Sequence, residues 1–280
     1  MLFVPALLWA APVAVSSPAV PSVAVSTALP LPFKLTDVTN KAFDTGEKLE
    51  FVIKYQFVTA GVAVMEVTEG WAVNGRPTLQ IESRAESRGA TDTFFRVRDY
   101  NAATVDRKSL MSRAFHQNLK EGKYKVIRNT ELDYDKGIYR FSRVRKDKLT
   151  ERSGPIDKPM HDILSAFFYA RTLDLKPGTT TAITVFSDEK VYDLEIKVHP
   201  KLQKISVPAG KFSCLRLEPK LIGDGIFKGS DDSRMTIWLT NDERKIPVMI
   251  RSKVFIGAFD AELTSYTPPT GWNFDTLPTK

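Results

Sequence analysis

Apolar and polar residues alternate along most of this chain with a period of two, the rhythm of strands that turn successive side chains to opposite faces. It is clearest in Met235-Thr-Ile-Trp-Leu-Thr240 and in the segment that resumes at Ile246 and continues through Val248 and Ile250. Asn241-Asp-Glu243 between them is turn chemistry, because Asn and Asp hydrogen-bond their own backbone. The spacing predicts a hairpin over 235–253, with Pro247 at a strand start or on an edge, where its missing N–H is tolerated.

The same rhythm predicts a strand over Gly46–Val58, a turn at Thr59-Ala-Gly61 and a return over Val62–Val67. Asn74-Gly75 signals a hairpin leading into Leu79, Ile81, Ser83 and Ala85. Further strands are expected over Phe94–Tyr100 with Ala103–Asp106, Arg113–Leu119, Lys123–Arg128 and Gly137–Arg145. They resume over Thr181–Ser187, Val191–Val198, Ile205–Val207, Lys211–Leu217 and Val254–Leu263. Short strands punctuated by Gly, Asn and Asp point to an antiparallel sheet, sandwich or barrel.

The rhythm breaks once. Met160, Ile163, Leu164, Phe167 and Phe168 have helical spacing, Pro159 suits a first turn, and Lys176-Pro-Gly178 forbids continuation. A helix over 159–173 is predicted, with His161 in its first turn and its apolar stripe laid across the concave face of a sheet or plugging an open barrel. Similar signals recur on both sides of it at offsets of roughly 130 residues, so 43–150 and 175–267 are read as pseudo-repeated halves of one β-rich domain, 34–267. The fold class expected is therefore mainly β, a curved antiparallel sheet or open barrel built from two such halves with one central amphipathic helix.

Residues 1–33 carry no charge and are rich in Ala, Val, Leu, Pro and Ser. They read as a signal-like segment followed by a Pro-rich linker, although the usual positive n-region is missing. Retention as a weak membrane anchor is the alternative. Prolines at 5, 12, 18 and 21 argue against a spanning helix, and no later stretch nears the ~18 apolar residues that one needs. An exported, periplasmic protein with no transmembrane span in the mature chain is expected. The tail, 268–280, is Pro-rich and is expected to pack loosely through Trp272 or to fray.

Forty Lys and Arg against 33 Asp and Glu give a net charge of +7, spread through strand-like segments rather than gathered in a tail. A basic surface of that kind suits anionic headgroups or acidic glycans. Without a helix-turn-helix, a zinc finger or an RNP-type aromatic motif, no nucleic-acid partner is expected. One cysteine, Cys214, and three histidines, 116, 161 and 199, offer neither a disulfide framework nor metal-ligand spacing. No metal and no cofactor are predicted. Gly223-Asp-Gly-Ile-Phe-Lys-Gly229 has the wrong spacing for a dinucleotide loop and is read as a turn.

An ordered set of motifs resembles a family of exported bacterial proteins, domain of unknown function 3108. It comprises Gly46-Glu-Lys-Leu-Glu-Phe-Val-Ile-Lys-Tyr55, Phe94-Phe-Arg-Val-Arg-Asp99, Asp162-Ile-Leu-Ser-Ala-Phe-Phe-Tyr-Ala-Arg171, Val207-Pro-Ala-Gly-Lys-Phe212 and Ile237–Val248. The resemblance covers about 43–266 and implies a Gram-negative envelope protein, without catalytic residues to carry over. More distantly, the strand that ends at Asp242 and resumes at Ile246-Pro247 is similar to periplasmic lipoprotein carriers of the LolA/LolB type, whose unclosed barrels hold acyl chains under a helical lid.

Three readings of function follow. The first is a module that binds a hydrophobic or amphipathic small molecule or lipid. Phe51, Tyr55, Phe94, Phe95, Phe167, Phe168 and Trp238 line its cavity, and Arg96 or Arg98 meets an anionic headgroup. The second is a lyase-like enzyme on acidic glycans, in which His116 and Tyr124 move the proton beside a carboxylate. The third is a structural factor that contacts another envelope protein through a sheet edge.

Overall fold

The structure, a computed structural model, describes residues 35–222, 235–254 and 257–272. The expected signal-like segment, the Gly223–Gly229 turn and the end of the tail lie outside these residues. The first eight strands are β1 (Lys48–Tyr55), β2 (Val58–Glu69), β3 (Thr78–Ser87), β4 (Arg98–Asp106), β5 (Ser112–Glu121), β6 (Tyr124–Asp133), β7 (Ile138–Arg145) and β8 (Lys148–Pro155). The remainder are β9 (Thr180–Ser187), β10 (Lys190–Val198), β11 (Gln203–Val207), β12 (Gly210–Ile222), β13 (Met235–Thr240), β14 (Pro247–Val254) and β15 (Gly257–Thr267). A short helix α1 (Gly89–Phe94) precedes β4, and α2 (Ile163–Ala170) separates β8 from β9.

All fifteen strands join one antiparallel sheet, in the order β8-β7-β6-β5-β4-β3-β2-β1-β15-β14-β13-β12-β10-β9, with β11 added on β12. Eight strands thus run as a meander in chain order, and β1 closes onto β15, the last strand, in the middle of the sheet. Two hairpins turn on residue pairs with positive φ, Lys146-Asp147 and Asp188-Glu189, the geometry whose twist matches that of the flanking strands. Asn74 and Gly75 adopt the same signs, as the Asn-Gly signal predicts.

The two end strands, β8 and β9, do not pair with each other, so the sheet is not closed. It curls far enough for side chains to meet across the gap. Arg128 on β6 contacts Asp188 at 2.9 Å, and the rings of Tyr139 and Phe186 lie 4.8 Å apart. The segment before α2 also bridges the gap. The Ser112 N–H and the Tyr134 hydroxyl both donate to Met160 O, and the His161 N–H donates to Thr184 O at 3.0 Å while its carbonyl accepts from the Phe186 N–H at 2.8 Å. The result is an open barrel, mainly β, with α2 against its inner face.

Four local expectations are corrected. The first turn falls at Gln56-Phe57, where Gln56 has φ 54° and Phe57 is fully exposed, rather than at Thr59–Gly61. Gly61 sits inside β2 because a Cβ there would lie 2.3 Å from Glu86 O, so glycine permits the close approach of β3. The segment from Phe94 to Val97 is no strand: α1 ends at Phe94 and β4 begins at Arg98. β8 was not foreseen, since its exposed, charged residues give no apolar alternation. Finally, the predicted helix over 159–173 is trimmed to α2, and His161 lies outside it. The His161 backbone is committed to β9, so Asp162 becomes the N-cap, its Oδ1 accepting from the N–H groups of Leu164 and Ser165 at 2.8 and 2.9 Å.

Just beyond α2, Arg171 is wholly buried. Its guanidinium donates to both Glu47 carboxylate oxygens at 2.7 Å and to the carbonyls of Ala42 and Arg244, between the rings of Phe43 and Phe168. This fork ties the end of α2 to the start of β1 and to the β13–β14 turn. That turn matches its expected chemistry: Asp242 Oδ1 accepts from Thr240 Oγ1 and from the Lys245 N–H.

Candidate functional site

α2 turns Ile163, Leu164, Ala166, Phe167 and Ala170 toward the sheet, and opposite them stand Leu194 and Ile196 of β10, Leu217 and Pro219 of β12, Met235, Ile237 and Leu239 of β13, Ile250 of β14 and Met65 of β2. The strand residues recur at every second position because only one face of each strand looks inward. Between the two sets lies a cavity of about 40 Å³ whose lining residues are all apolar. That is room for about three water-sized groups. Phe167 is the only one of the five α2 residues that stays partly exposed.

Beside Met65 the inner face changes character. Met65 stands directly opposite Ser83 on β3, Ser83 opposite Asn101 on β4, Asn101 opposite Gln117 on β5, and Gln117 opposite Arg128 on β6. Directly opposed residues share a face, so these side chains form one row running from the cavity across the N-terminal strands. Ser83 and Asn101 are 1% and 0% exposed. Gln117 Nε2 donates to Asn101 Oδ1 at 3.2 Å, and Arg128 is held by Asp188 and the Tyr124 hydroxyl. Ser83 Oγ and Asn101 Nδ2 have no hydrogen-bond partner among the described residues.

Asp99, two residues before Asn101 on the same face, accepts from the Lys120 N–H at 2.9 Å through Oδ1, and its carboxyl lies beside that of Glu121, to which it hydrogen-bonds when protonated. Burial, and after it the negative charge of Glu121, push the Asp99 carboxyl up to about 7. The pair therefore holds a proton more readily than an exposed carboxylate does.

The residues expected to line a site are scattered. Phe167 lines the cavity. Phe168 is fully buried on the other side of α2, edge-on to Phe43 at 5.0 Å, and Phe51 is filled core. Tyr55 packs against Phe259, their rings tilted and 4.8 Å apart. Phe94 is 87% exposed at the end of α1, and Phe95 packs over Gly122. Trp238 donates through Nε1 to Gln203 Oε1 at 2.7 Å, under the Arg251 guanidinium, on the face of β13 opposite to Ile237 and Leu239. Arg96 is exposed, and Arg98 is paired with Asp92 at 2.6 Å.

His116 and Tyr124 lie on opposite faces. His116 Nδ1 meets Asn129 Oδ1 at 2.7 Å on the outer side, whereas Tyr124 bonds Arg128 on the inner side. The structure therefore does not assemble the proton-transfer pair. Cys214 is buried as a small apolar side chain, and burial raises its thiol to about 12.

Sequence reasoning overlooked most of the cavity wall and the whole polar row. A signal for the row existed: Ser83 falls in phase with Leu79, Ile81 and Ala85, a hydroxyl where the rhythm calls for an apolar side chain.

A family model described as Protein of unknown function (DUF3108) matches residues 50–264. Two solved structures show likeness at 9% identity. One is the beta-barrel-like protein of domain of unknown function DUF1849 from Brucella abortus, with a TM-score of 0.49, covering 81% of this chain and 99% of that one. The other is a candidate exported protein with a YmcC-like fold from Bacteroides fragilis, with a TM-score of 0.29, covering 84% and 100%. No curated protein matches the sequence.

Proposed function

The chain belongs to the DUF3108 family, and from that premise we propose that it is an exported envelope protein that takes up the apolar part of a lipid or other amphipathic molecule beneath α2. The observation that carries this reading is the cavity itself, whose fourteen lining residues, on five strands and one helix, are all apolar. Each methylene moved into it from water contributes about 0.8 kcal/mol. At about 40 Å³ the cavity accepts only a short stretch of chain, so a full acyl chain requires α2 to move outward. Export is supported by the uncharged, small-residue segment 1–33. No helix among the described residues is long and apolar enough to cross a membrane.

Native mass spectrometry after detergent-free purification tests this function. Discrete mass increments that organic extraction removes and identifies as lipid are the expected result. A protein that is empty as isolated, and that also fails to take up N-phenyl-1-naphthylamine or myristate when these are added, would overturn it.

A further inference from the structure

The cavity accounts for the apolar part of a ligand; the row beside it is built for something else. Buried polar atoms in folded proteins are almost always hydrogen-bonded, because an unmet donor or acceptor forfeits its bonds to water. Here two such atoms stand together on the inner face of β3 and β4, Ser83 Oγ and Asn101 Nδ2, with the Asp99–Glu121 carboxyl pair beside them. Ser83 and Asn101 are cross-strand partners, and Asp99 is the next inward-facing residue on β4. Asn101 already uses its carbonyl oxygen on Gln117, so its free valence is a donor aimed at an acceptor. Ser83 both donates and accepts, and the Asp99 carboxyl retains lone pairs that accept.

We propose that Ser83, Asp99 and Asn101 hold the uncharged polyol headgroup of an amphipathic ligand whose chain lies beneath α2, an inference that rests on the reading of the cavity given above. The placement fits a single molecule. Met65 lines the cavity and is the direct neighbour of Ser83, and Asn101 stands two strand spacings from Met65, about 10 Å away. Alcohol oxygens match the three groups, since each both accepts from Asn101 or Ser83 and donates to Asp99.

The surrounding charges exclude the alternatives. An anionic headgroup would meet the carboxylates of Asp99 and Glu121, and the row's only buried cation, Arg128, is already engaged by Asp188 and Tyr124. An ammonium group would suit Asp99 but leave the Asn101 donor facing a second donor.

The test uses four probes on the full folded chain: N-phenyl-1-naphthylamine, which enters beneath α2 only as the helix moves outward and carries no polyol for the row, and 1-monomyristoylglycerol, myristate and tetradecylamine, which share a chain and differ in headgroup. Displacement of the fluorescent probe gives each dissociation constant. Monomyristoylglycerol is expected to bind at least about tenfold tighter than the two charged probes. Ser83→Ala and Asn101→Ala are each expected to weaken it by about tenfold, the worth of one good hydrogen bond, with the naphthylamine affinity unchanged. Circular dichroism and melting without probe confirm that the variants fold, and should Asn101→Ala fail to do so, Ser83→Ala carries the test. Equal affinity for the three headgroups, a preference for a charged one, or indifference of monomyristoylglycerol to both substitutions overturns the headgroup site while leaving the cavity intact. Failure of every probe to bind, the naphthylamine included, overturns the cavity and the headgroup site together.

Discussion

Removing one member of the buried Glu47–Arg171 pair is the severest single test of how α2 is held. Neither side chain is more than 1% exposed, and the guanidinium is satisfied by two carboxylate oxygens and two carbonyls. Arg171→Met strands the Glu47 carboxylate in a closed interior, where it keeps the hydrogen bond from the Tyr266 hydroxyl, at 3.3 Å. Glu47→Gln strands the cation instead. Leaving one buried charge uncompensated costs about 3–5 kcal/mol, whereas replacing both partners by uncharged groups of similar shape is often close to neutral. Each single variant is therefore expected to lose about 3–5 kcal/mol, and Glu47→Gln/Arg171→Met less than either. For a folded unit of this size that corresponds to a melting temperature lower by roughly 6–20 °C in the single variants. Urea titrations of all four proteins at pH 7 supply the double-mutant cycle. Additive losses, or single losses below about 1 kcal/mol, would refute the reasoning, because they would mean that the pair is either uncoupled or open to water.

Three further outcomes follow from the geometry. Burial lowers the His161 imidazole to about 3, so its contribution to stability is present above about pH 6.5 and is lost as pH falls toward 3. Between pH 7 and pH 5 the wild type should lose about 2 kcal/mol more than His161→Phe, and equal losses in urea titrations would count against it. Asp99 has the opposite sign: with its carboxyl raised to about 7, its contribution is fully present below about pH 4 and disappears as pH rises through 7. Wild type should therefore lose stability relative to Asp99→Asn as pH rises from 5 to 8, and parallel curves would refute this. Gly61→Ala places a Cβ 2.3 Å from Glu86 O, a backbone atom that cannot swing aside, and should cost about 1–3 kcal/mol in the same assay; an unchanged urea midpoint would show that β3 yields freely.

The alternation of apolar and polar residues made the architecture legible: most strands, the 235–253 hairpin and the helical phase of α2 were all in the letters. Boundaries set by partners far along the chain were not. α2 starts late because His161 pairs with β9, and Arg171 beyond its end is held by Glu47, 124 residues away. The site was harder still. Large aromatics drew attention because of the surface they bury, yet Phe94 ended exposed and Trp238 faced away from the cavity. Which face a strand residue occupies depends on register, and a slip of one residue inverts it. His116 and Tyr124, close in sequence and on adjacent strands, were separated in this way. The actual wall is made of Leu194, Ile196, Leu217 and Ile237, ordinary residues distinguished only by where they meet.

The seam between β1 and β15 has a temporal consequence. Lys48 pairs with Thr267 and Tyr55 with Phe259, so β1 has no neighbour on that side until synthesis has passed residues 259–267. Contacts so distant along the chain form slowly, and an unpaired strand border is a template for association with other molecules. A chain delivered from its N-terminus through a translocation channel would spend that interval with a bare backbone edge, which makes a shielding chaperone valuable on the far side.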